Sequence, residues 1–341
     1  MILQAIDFSR FLRGSESDRV ETADALVESF KQHGFARLVN YGISVFSIEH
    51  LEMLNRKFFS MPEDAKMRSF KGAETTAGLR KHKDVPDGIL VDEKEHFDAG
   101  SASDMDFPNK WPDKDMPELR QFLEPFHDTC QDLCLSLMEA CELGLRLPPG
   151  TLTRRCQPPA SELRLNYYPA VDMKKLQDGR TRRTWPHTDF GLLTLLWQDD
   201  VGGLKYQDRS KSNSRSFMER QYGTGHSDLG VEQDVFLPLT RNEPGEMAVN
   251  ISDTFQRLTN DVFRAGVHTV DWPDSSSHSR KERTLPARYS SVFFFKAHRN
   301  TSVGVLPHFI TEQTPAHYDN ITALEFHRRM TQVLIDPTGQ K

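Results

Sequence analysis

His187 and Asp189 stand two residues apart in the run Trp185-Pro-His-Thr-Asp-Phe-Gly191, and His268 follows much further along the chain. On an extended strand, residues i and i+2 point to the same side. An imidazole and a carboxylate so spaced can grip one ion, and a second imidazole from a later strand completes a two-histidine, one-carboxylate set. Such a set leaves positions open on the metal, the arrangement suited to non-haem Fe(II) chemistry. The spacing alone is a weak signal, since H-x-D recurs in this chain, for example at His96/Asp98 and His226/Asp228. Context separates the pairs. His226/Asp228 lies in a Ser/Gly/Arg-rich polar stretch and reads as a solvated loop. His96 and Asp98 flank Phe97 before a glycine, and nothing downstream repeats their spacing. His187/Asp189 runs straight into Phe190–Trp197, an apolar run long enough for a buried strand.

A second constellation is suited to an anion. Alternation on Arg288-Tyr289-Ser290 places Arg288 and Ser290 on one face, where a guanidinium beside a hydroxyl can hold a carboxylate. An arginine buried there without an anion is costly; a protein acid as its partner is the alternative. Leu163–Tyr168 alternates as well, with Arg164, Asn166 and Tyr168 on one face and Leu163, Leu165 and Tyr167 on the other. The polar face points either to solvent or into a polar cavity, and its place just before the metal-ligand candidates favours the cavity.

These side chains need rigid elements to hold them. Leu163–Tyr168, Phe190–Trp197, Gly203–Tyr206, Val235–Leu239, Met247–Ile251, Val267–Val270 and Arg288–Phe295 read as short strands separated by turns. The half before them is helical. Ile2–Phe8 reads as an edge strand, Glu21–Lys31 as a helix stopped at His33-Gly34, and Phe35–Asn40 as a strand. Ser47 is placed to cap a helix that runs to Ser60, with Phe46 and Leu51 as a hydrophobic staple. Pro117–Leu143 carries a long apolar stripe that includes Cys130, Cys134 and Cys141, with a kink expected at Pro125. Lys71–Asp115 reads as loops with one or two short strands. Lys205–Asp234 and Ser275–Glu282 read as polar insertions, the first a surface loop or a lid. Asp319–Leu334 is helical again. Strands after a helical half suggest an α+β fold, with a β-barrel or jelly-roll core braced by helices. A single domain over 1–341 is expected: a helical half at about 1–157, a core at about 158–300 and a C-terminal helix at about 319–335. The break near Gln157-Pro158-Pro159 is not a boundary, because the helical stripes need the sheet to cover them.

With 43 Lys and Arg against 49 Asp and Glu, the net charge is mildly negative, and the basic residues are scattered. That argues against a nucleic-acid surface. No apolar run reaches membrane-spanning length, and Met1–Asp7 lacks the pattern of a signal peptide. The cysteines on the long helix fit buried core better than a thiol metal site. A cytoplasmic enzyme with a small-molecule partner is expected; the oligomeric state is not legible.

Taken together, the motifs resemble the isopenicillin-N-synthase-like branch of Fe(II)- and 2-oxoglutarate-dependent oxygenases. The resemblance spans nearly the whole chain. It begins at Ile6-Asp7-Phe8-Ser9 and continues through His33–Ile43, with Tyr41 where the family usually has His. Phe58–Pro62, Glu95–Gly100 and Asn109–Pro112 follow in order, and the second of these accounts for His96 without a metal. Asn166–Pro169, His187–Gly191, Gln198–Leu204 (Q-D-D-V-G-G-L), Val267–Val270 and Arg288–Ser290 complete the series. The resemblance implies a double-stranded β-helix, or jelly roll, with flanking helices. It implies Fe(II) on His187, Asp189 and His268. It places the distal carboxylate of 2-oxoglutarate on Arg288 and Ser290, with Asn166 and Tyr168 beside the 1-carboxylate and keto end. The implied reaction uses O2, releases succinate and CO2, and oxidises a C–H bond of a small organic metabolite.

Rival readings stay open at this level. A same-fold oxidase lets its substrate ligate iron and uses the Arg-x-Ser pair for a substrate carboxylate. The Q-D-D-V-G-G-L segment also resembles the ethylene-forming enzyme, which fragments 2-oxoglutarate. A metal-free binding scaffold is the reading outside enzymes. Phe190, Leu204 and Phe295 are candidates for an apolar pocket or for core. Arg183 and Trp185 are candidates for substrate contact or for an exposed loop. The substrate, and whether it is hydroxylated, desaturated, cyclised or rearranged, are not legible.

Overall fold

The computed structural model describes residues 3–69, 78–81, 91–92, 94–172, 174, 181–211, 235–271 and 284–335. Its chain begins with β1 (Ala5–Asp7), α1 (Ser9–Arg13), α2 (Glu16–His33) and β2 (Phe35–Val39), with β1 and β2 paired in parallel. Helix α2 starts earlier than its apolar spacing suggests, because Ser15 and Asp18 form a reciprocal capping box. It stops at Gly34, which takes the left-handed conformation at φ 71°. Next comes α3 (Val45–Ser60), whose N-cap is Ser44 and not Ser47: the Ser44 hydroxyl accepts from the Ser47 backbone N–H. No staple forms there, and Phe46 is left exposed.

The chain continues through α4 (Glu63–Met67), β3 (Gly78–Lys81), β4 (Val91–Asp92), β5 (Glu95–Gly100) and α5 (Pro117–Gly144). Pro117 occupies the first turn of α5, and the helix continues through Pro125 as one element. Then follow β6 (Glu162–Tyr168), β7 (Val171–Asp172), β8 (Thr181–Arg182), β9 (Thr184–His187), β10 (Leu193–Gln198) and β11 (Leu204–Gln207). The last group is β12 (Phe236–Pro238), β13 (Met247–Ile251), α6 (Asp253–Leu258), β14 (His268–Val270), β15 (Thr284–Leu285), β16 (Arg288–Phe295) and α7 (Ala323–Ile335). His226, Asp228 and most of the two polar insertions lie outside the described residues.

An eight-stranded sheet in the order β1-β2-β13-β10-β16-β6-β5-β3 lies against a four-stranded sheet in the order β12-β11-β14-β9. This is the expected jelly roll. The outer face of the large sheet is apolar: Leu163, Leu165, Leu193, Leu195, Phe293 and Phe295 join one core with Leu26 and Phe30 of α2, Leu51 and Phe58 of α3 and Leu137 of α5. Strand alternation therefore turns the polar residues of β6 and β16 inward, between the sheets. The four cysteines are unpaired and buried. Burial raises the thiols of Cys130 and Cys134 well above the ordinary value, so they are inert core.

One expectation needs correction. Phe190–Trp197 is not a single strand, and His187 and Asp189 do not share one. His187 ends β9 in the small sheet, Asp189 sits in the crossing loop, and β10 begins only at Leu193 in the large sheet. Gly191 explains the break. A Cβ on it would lie 2.5 Å from the Phe295 carbonyl oxygen, so the chain passes hard against β16 where only glycine fits.

Candidate active site

The crossing loop brings together what the sequence placed apart. In register, His268 of β14 lies opposite His187 of β9. The imidazole rings stand 4.2 Å apart, centroid to centroid. His187 Nε2 is 3.7 Å from Asp189 Oδ1, and His268 Nε2 is 3.9 Å from Asp189 Oδ2. One donor atom from each residue lies within 4.8 Å of the others, and no other such group occurs among the described residues.

Backbone carbonyls fix the tautomers. His187 Nδ1 lies 2.8 Å from the Trp185 carbonyl oxygen, and His268 Nδ1 lies 3.0 Å from that of Gly266. A carbonyl only accepts, so each Nδ1 carries the proton and each Nε2 keeps its lone pair toward the centre. Burial and the neighbouring His268 push the His187 imidazole down to about 4, leaving it neutral at neutral pH. Asp189 is steadied from outside: Asn250 donates to its Oδ2 at 2.9 Å and Thr194 at 2.7 Å. Burial opposes the charged carboxylate, but both imidazoles and these two donors outweigh it and hold its pKa below the usual range. Neutral imidazoles and an ionised carboxylate are the forms that bind a divalent cation, so this donor set fits Fe(II).

Deeper between the sheets lies Arg288, fully buried. Its Nε donates to the Gly202 carbonyl at 3.0 Å, one Nη to Gln198 Oε1 at 2.9 Å and the other to Ser290 Oγ at 3.3 Å. The guanidinium also lies over the Tyr168 ring, 5.0 Å from its centroid. All these partners are neutral, so the reading in which a protein acid pairs with this arginine fails. Ser290 Oγ accepts from Arg288 and, at 3.4 Å, from Asn166. Its own O–H is thereby left to donate to an anion. The Q-D-D-V-G-G-L segment acquires a role here: Gln198 and the Gly202 carbonyl hold Arg288, and Asp199 accepts from the Tyr289 backbone N–H at 2.7 Å. Gly202 and Gly203 make the turn with φ of 76° and 94°.

Two family models match this chain: the N-terminal region of non-haem dioxygenases in morphine synthesis over residues 3–114, and the 2OG-Fe(II) oxygenase superfamily over residues 159–297. The 2-oxoglutarate-dependent dioxygenase imqE of Aspergillus flavus is 37% identical, with 99% of this chain and 96% of the relative covered. The 2-oxoglutarate-dependent dioxygenase ecdK of Aspergillus rugulosus is 36% identical over 98% of this chain and 100% of its own length. The chain belongs to the Fe(II)- and 2-oxoglutarate-dependent dioxygenases. A solved structure, that of a full-length Neurospora crassa protein in complex with alpha-KG, superposes with a TM-score of 0.83 at 26% identity, covering 97% of this chain and 96% of that one. The dioxygenase thus works with Fe(II), 2-oxoglutarate and O2, and the rival readings without 2-oxoglutarate or without metal give way.

A cavity of about 440 Å³ runs from His187, Asp189 and His268 to Asn166, Tyr168 and Ser290, the last of which carries Arg288 behind it. The polar face of β6 therefore points into a cavity, as expected. Leu204 lines it, whereas Phe295 is core. His96 and Asp98 hold no metal position: Asp98 takes the Arg164 guanidinium in a two-point contact at 2.6 and 2.8 Å. Arg183 is not on an exposed loop but buried, with 1% of its surface accessible. Trp185 is half-buried beneath Arg182. Thr194, Asn250 and Gln198 escaped notice as site residues: the partners of Asn250 and Gln198 lie 61 and 90 residues away, and Thr194 reaches Asp189, five residues back, only because the chain bends between β9 and β10. Only Gln198 carried a signal, its place in a quoted motif. Among the described residues, no helix is long and apolar enough to cross a membrane.

Proposed function

We propose that His187, Asp189 and His268 hold Fe(II) in this dioxygenase. Arg288 and Ser290 receive the distal carboxylate of 2-oxoglutarate, and Asn166 and Tyr168 flank its chelating end. The carrying observation is the convergence of three donor atoms with both Nδ1 positions tied to backbone carbonyls. When bound, iron and 2-oxoglutarate supply the activation of O2 and the oxidation of a C–H bond, with release of succinate and CO2. The chain's own residues orient and insulate. Asn250 and Thr194 fix the carboxylate plane, and Trp185 and Gly266 fix the two imidazoles. The apolar walls from Leu196, Leu204, Val270 and Val292 keep bulk water from the reacting atoms.

The substrate enters from the other end of the same sheet face. Alternation continues outward from Tyr168, Asn166 and Arg164 to Glu162, and from Ser290, Val292 and Phe294 to Lys296. Glu162, Lys296 and Phe190 line a second cavity of about 570 Å³, closed by Leu324 and His327 of α7. Glu162 and Lys296 pair at 2.8 Å. An apolar body with a hydrogen-bonding group suits this chamber, which favours a small organic metabolite, in keeping with fungal specialised metabolism. The unpaired thiols support a reducing, cytoplasmic setting.

The test is anaerobic. Fe(II) followed by 2-oxoglutarate should develop the visible charge-transfer band of the chelate, and His187→Ala or Asp189→Ala should abolish it. With O2, succinate should form in step with substrate oxidation, and headspace ethylene should stay at background. A full band in both variants would refute the site assignment.

A further inference from the structure

Arg183 immediately precedes β9 and is as buried as Arg288, at 1% and 0% accessible respectively. One of its Nη atoms donates to the carbonyl of Pro286, two residues before Arg288. Its Nε and other Nη are buried and meet no hydrogen-bond partner. An unpaired buried guanidinium costs several kcal/mol unless a counter-charge lies near. Burial and the like charge of Arg288 bring its pKa down to about 10, so it remains a cation at neutral pH.

The protein supplies too little negative charge around it. Asp199 is the buried acid whose field reaches both arginines. Its oxygens, however, are engaged by the backbone N–H groups of Tyr289 and Val201 at 2.7 and 3.1 Å, and by Arg56 at 3.4 Å. Neither Arg183 nor Arg288 forms an ion pair with any described acid. Two buried guanidiniums thus share the field of one carboxylate, and this cluster, which lies behind the cavity residues Tyr168, Thr184 and Ser290, lacks about one negative charge.

Building on the 2-oxoglutarate seat described above, we propose that Arg183 is a positioning residue for the cosubstrate. Its positive charge, added to that of Arg288, makes the pocket select a dicarboxylate over a monocarboxylate 2-oxo acid. The distal carboxylate supplies the missing charge. A 2-oxo acid without it chelates iron through the same two oxygens and leaves both guanidiniums uncompensated.

The experiment uses the anaerobic Fe(II) protein, with chelation followed by the visible charge-transfer band and no turnover required. Wild type, Arg183→Met, Arg183→Lys and Arg288→Met are each titrated with 2-oxoglutarate and with 2-oxobutyrate. Arg183→Met is expected to weaken 2-oxoglutarate by about tenfold or more while 2-oxobutyrate shifts by less than about twofold, and Arg183→Lys should recover part of the loss. Unchanged 2-oxoglutarate affinity in Arg183→Met would overturn the proposal. So would an equal loss for both acids with Arg183→Lys no better than Arg183→Met, which marks a purely structural role. Failure of the underlying seat looks different: Arg288→Met would then bind both acids as wild type does, and the proposal would fall with its premise.

Discussion

Asn250 of β13 donates to Asp189 Oδ2 at 2.9 Å, and this contact ties the carboxylate proposed to hold the metal to the large sheet. Asp189 itself lies in a crossing loop, so its aim depends on that donor and on Thr194 Oγ1 at 2.7 Å. Replacing Asn250 with Leu leaves Oδ2 with the Thr194 donor alone and the carboxylate less firmly aimed. Losing such an outer partner typically costs about 10- to 100-fold in metal affinity. Fe(II) titration against a colorimetric chelator should show a loss in that range with an unchanged circular-dichroism spectrum. Wild-type affinity in Asn250→Leu would remove Asn250 from the site.

What the sequence revealed and what it hid follow from the range of each interaction. His187, Asp189, His268, Arg288 and Ser290 were legible as candidates because their types are rare in apolar strands and their order is distinctive, and the structure brings the first three together. The geometry behind the first pair was not, because spacing cannot distinguish one strand from a strand end and the loop after it. The close approach of Gly191 to Phe295 decides that point, and it is tertiary. His317 and Asp319 have the same H-x-D spacing, yet His317 meets Asp261 at 2.7 Å on an exposed stretch, so spacing without burial misleads. The cap of α3 was misplaced because Ser44 and Ser47 stand one helical turn apart, and only backbone dihedrals reveal which lies outside the helix. Asn250 gave no local hint, since its partner lies 61 residues away.

Gln198 holds Arg288, the residue proposed to receive the distal carboxylate. Its Oε1 accepts from Arg288 at 2.9 Å while its Nε2 donates to the Leu239 carbonyl at 2.7 Å. Gln198→Leu keeps much of the volume but strips one acceptor from a buried guanidinium. A loss of about 1–3 kcal/mol per unmet buried group, carried into the binding step, corresponds to about 5- to 150-fold weaker 2-oxoglutarate binding. The prediction is a raised KM for 2-oxoglutarate with Fe(II) affinity unchanged. An unaltered KM would show that the remaining contacts suffice to place Arg288.

His327 makes a pH prediction. Lys296 and burial lower its pKa from the ordinary 6.5 to about 4. Between those values the unfolded chain takes up a proton that the folded chain refuses, so folding stability falls as pH falls through that window. In the metal-free protein His187 acts in the same direction. Thermal unfolding midpoints of the metal-free protein should therefore drop from pH 7 toward pH 4, and less steeply in His327→Gln. Parallel curves for the two proteins would mean that His327 titrates normally.

Tyr41 stands where the resembling family usually has histidine, and the structure shows what it does. Its hydroxyl donates to the Gly245 carbonyl and accepts from Trp197 Nε1 at 2.9 Å, linking the turn after β2 to β10 and to the loop before β13. Tyr41 is buried at 3% accessibility, so water cannot replace either bond. Tyr41→Phe leaves one donor and one acceptor unmet and should cost about 1–3 kcal/mol in urea unfolding. Tyr41→His should recover part of this, because a ring nitrogen can accept from Trp197. The metal cluster touches none of these atoms, so Fe(II) affinity should be wild type in both variants. If Tyr41→Phe unfolds at the wild-type urea concentration, this bridge between β2 and β10 contributes nothing, and the departure from histidine is neutral.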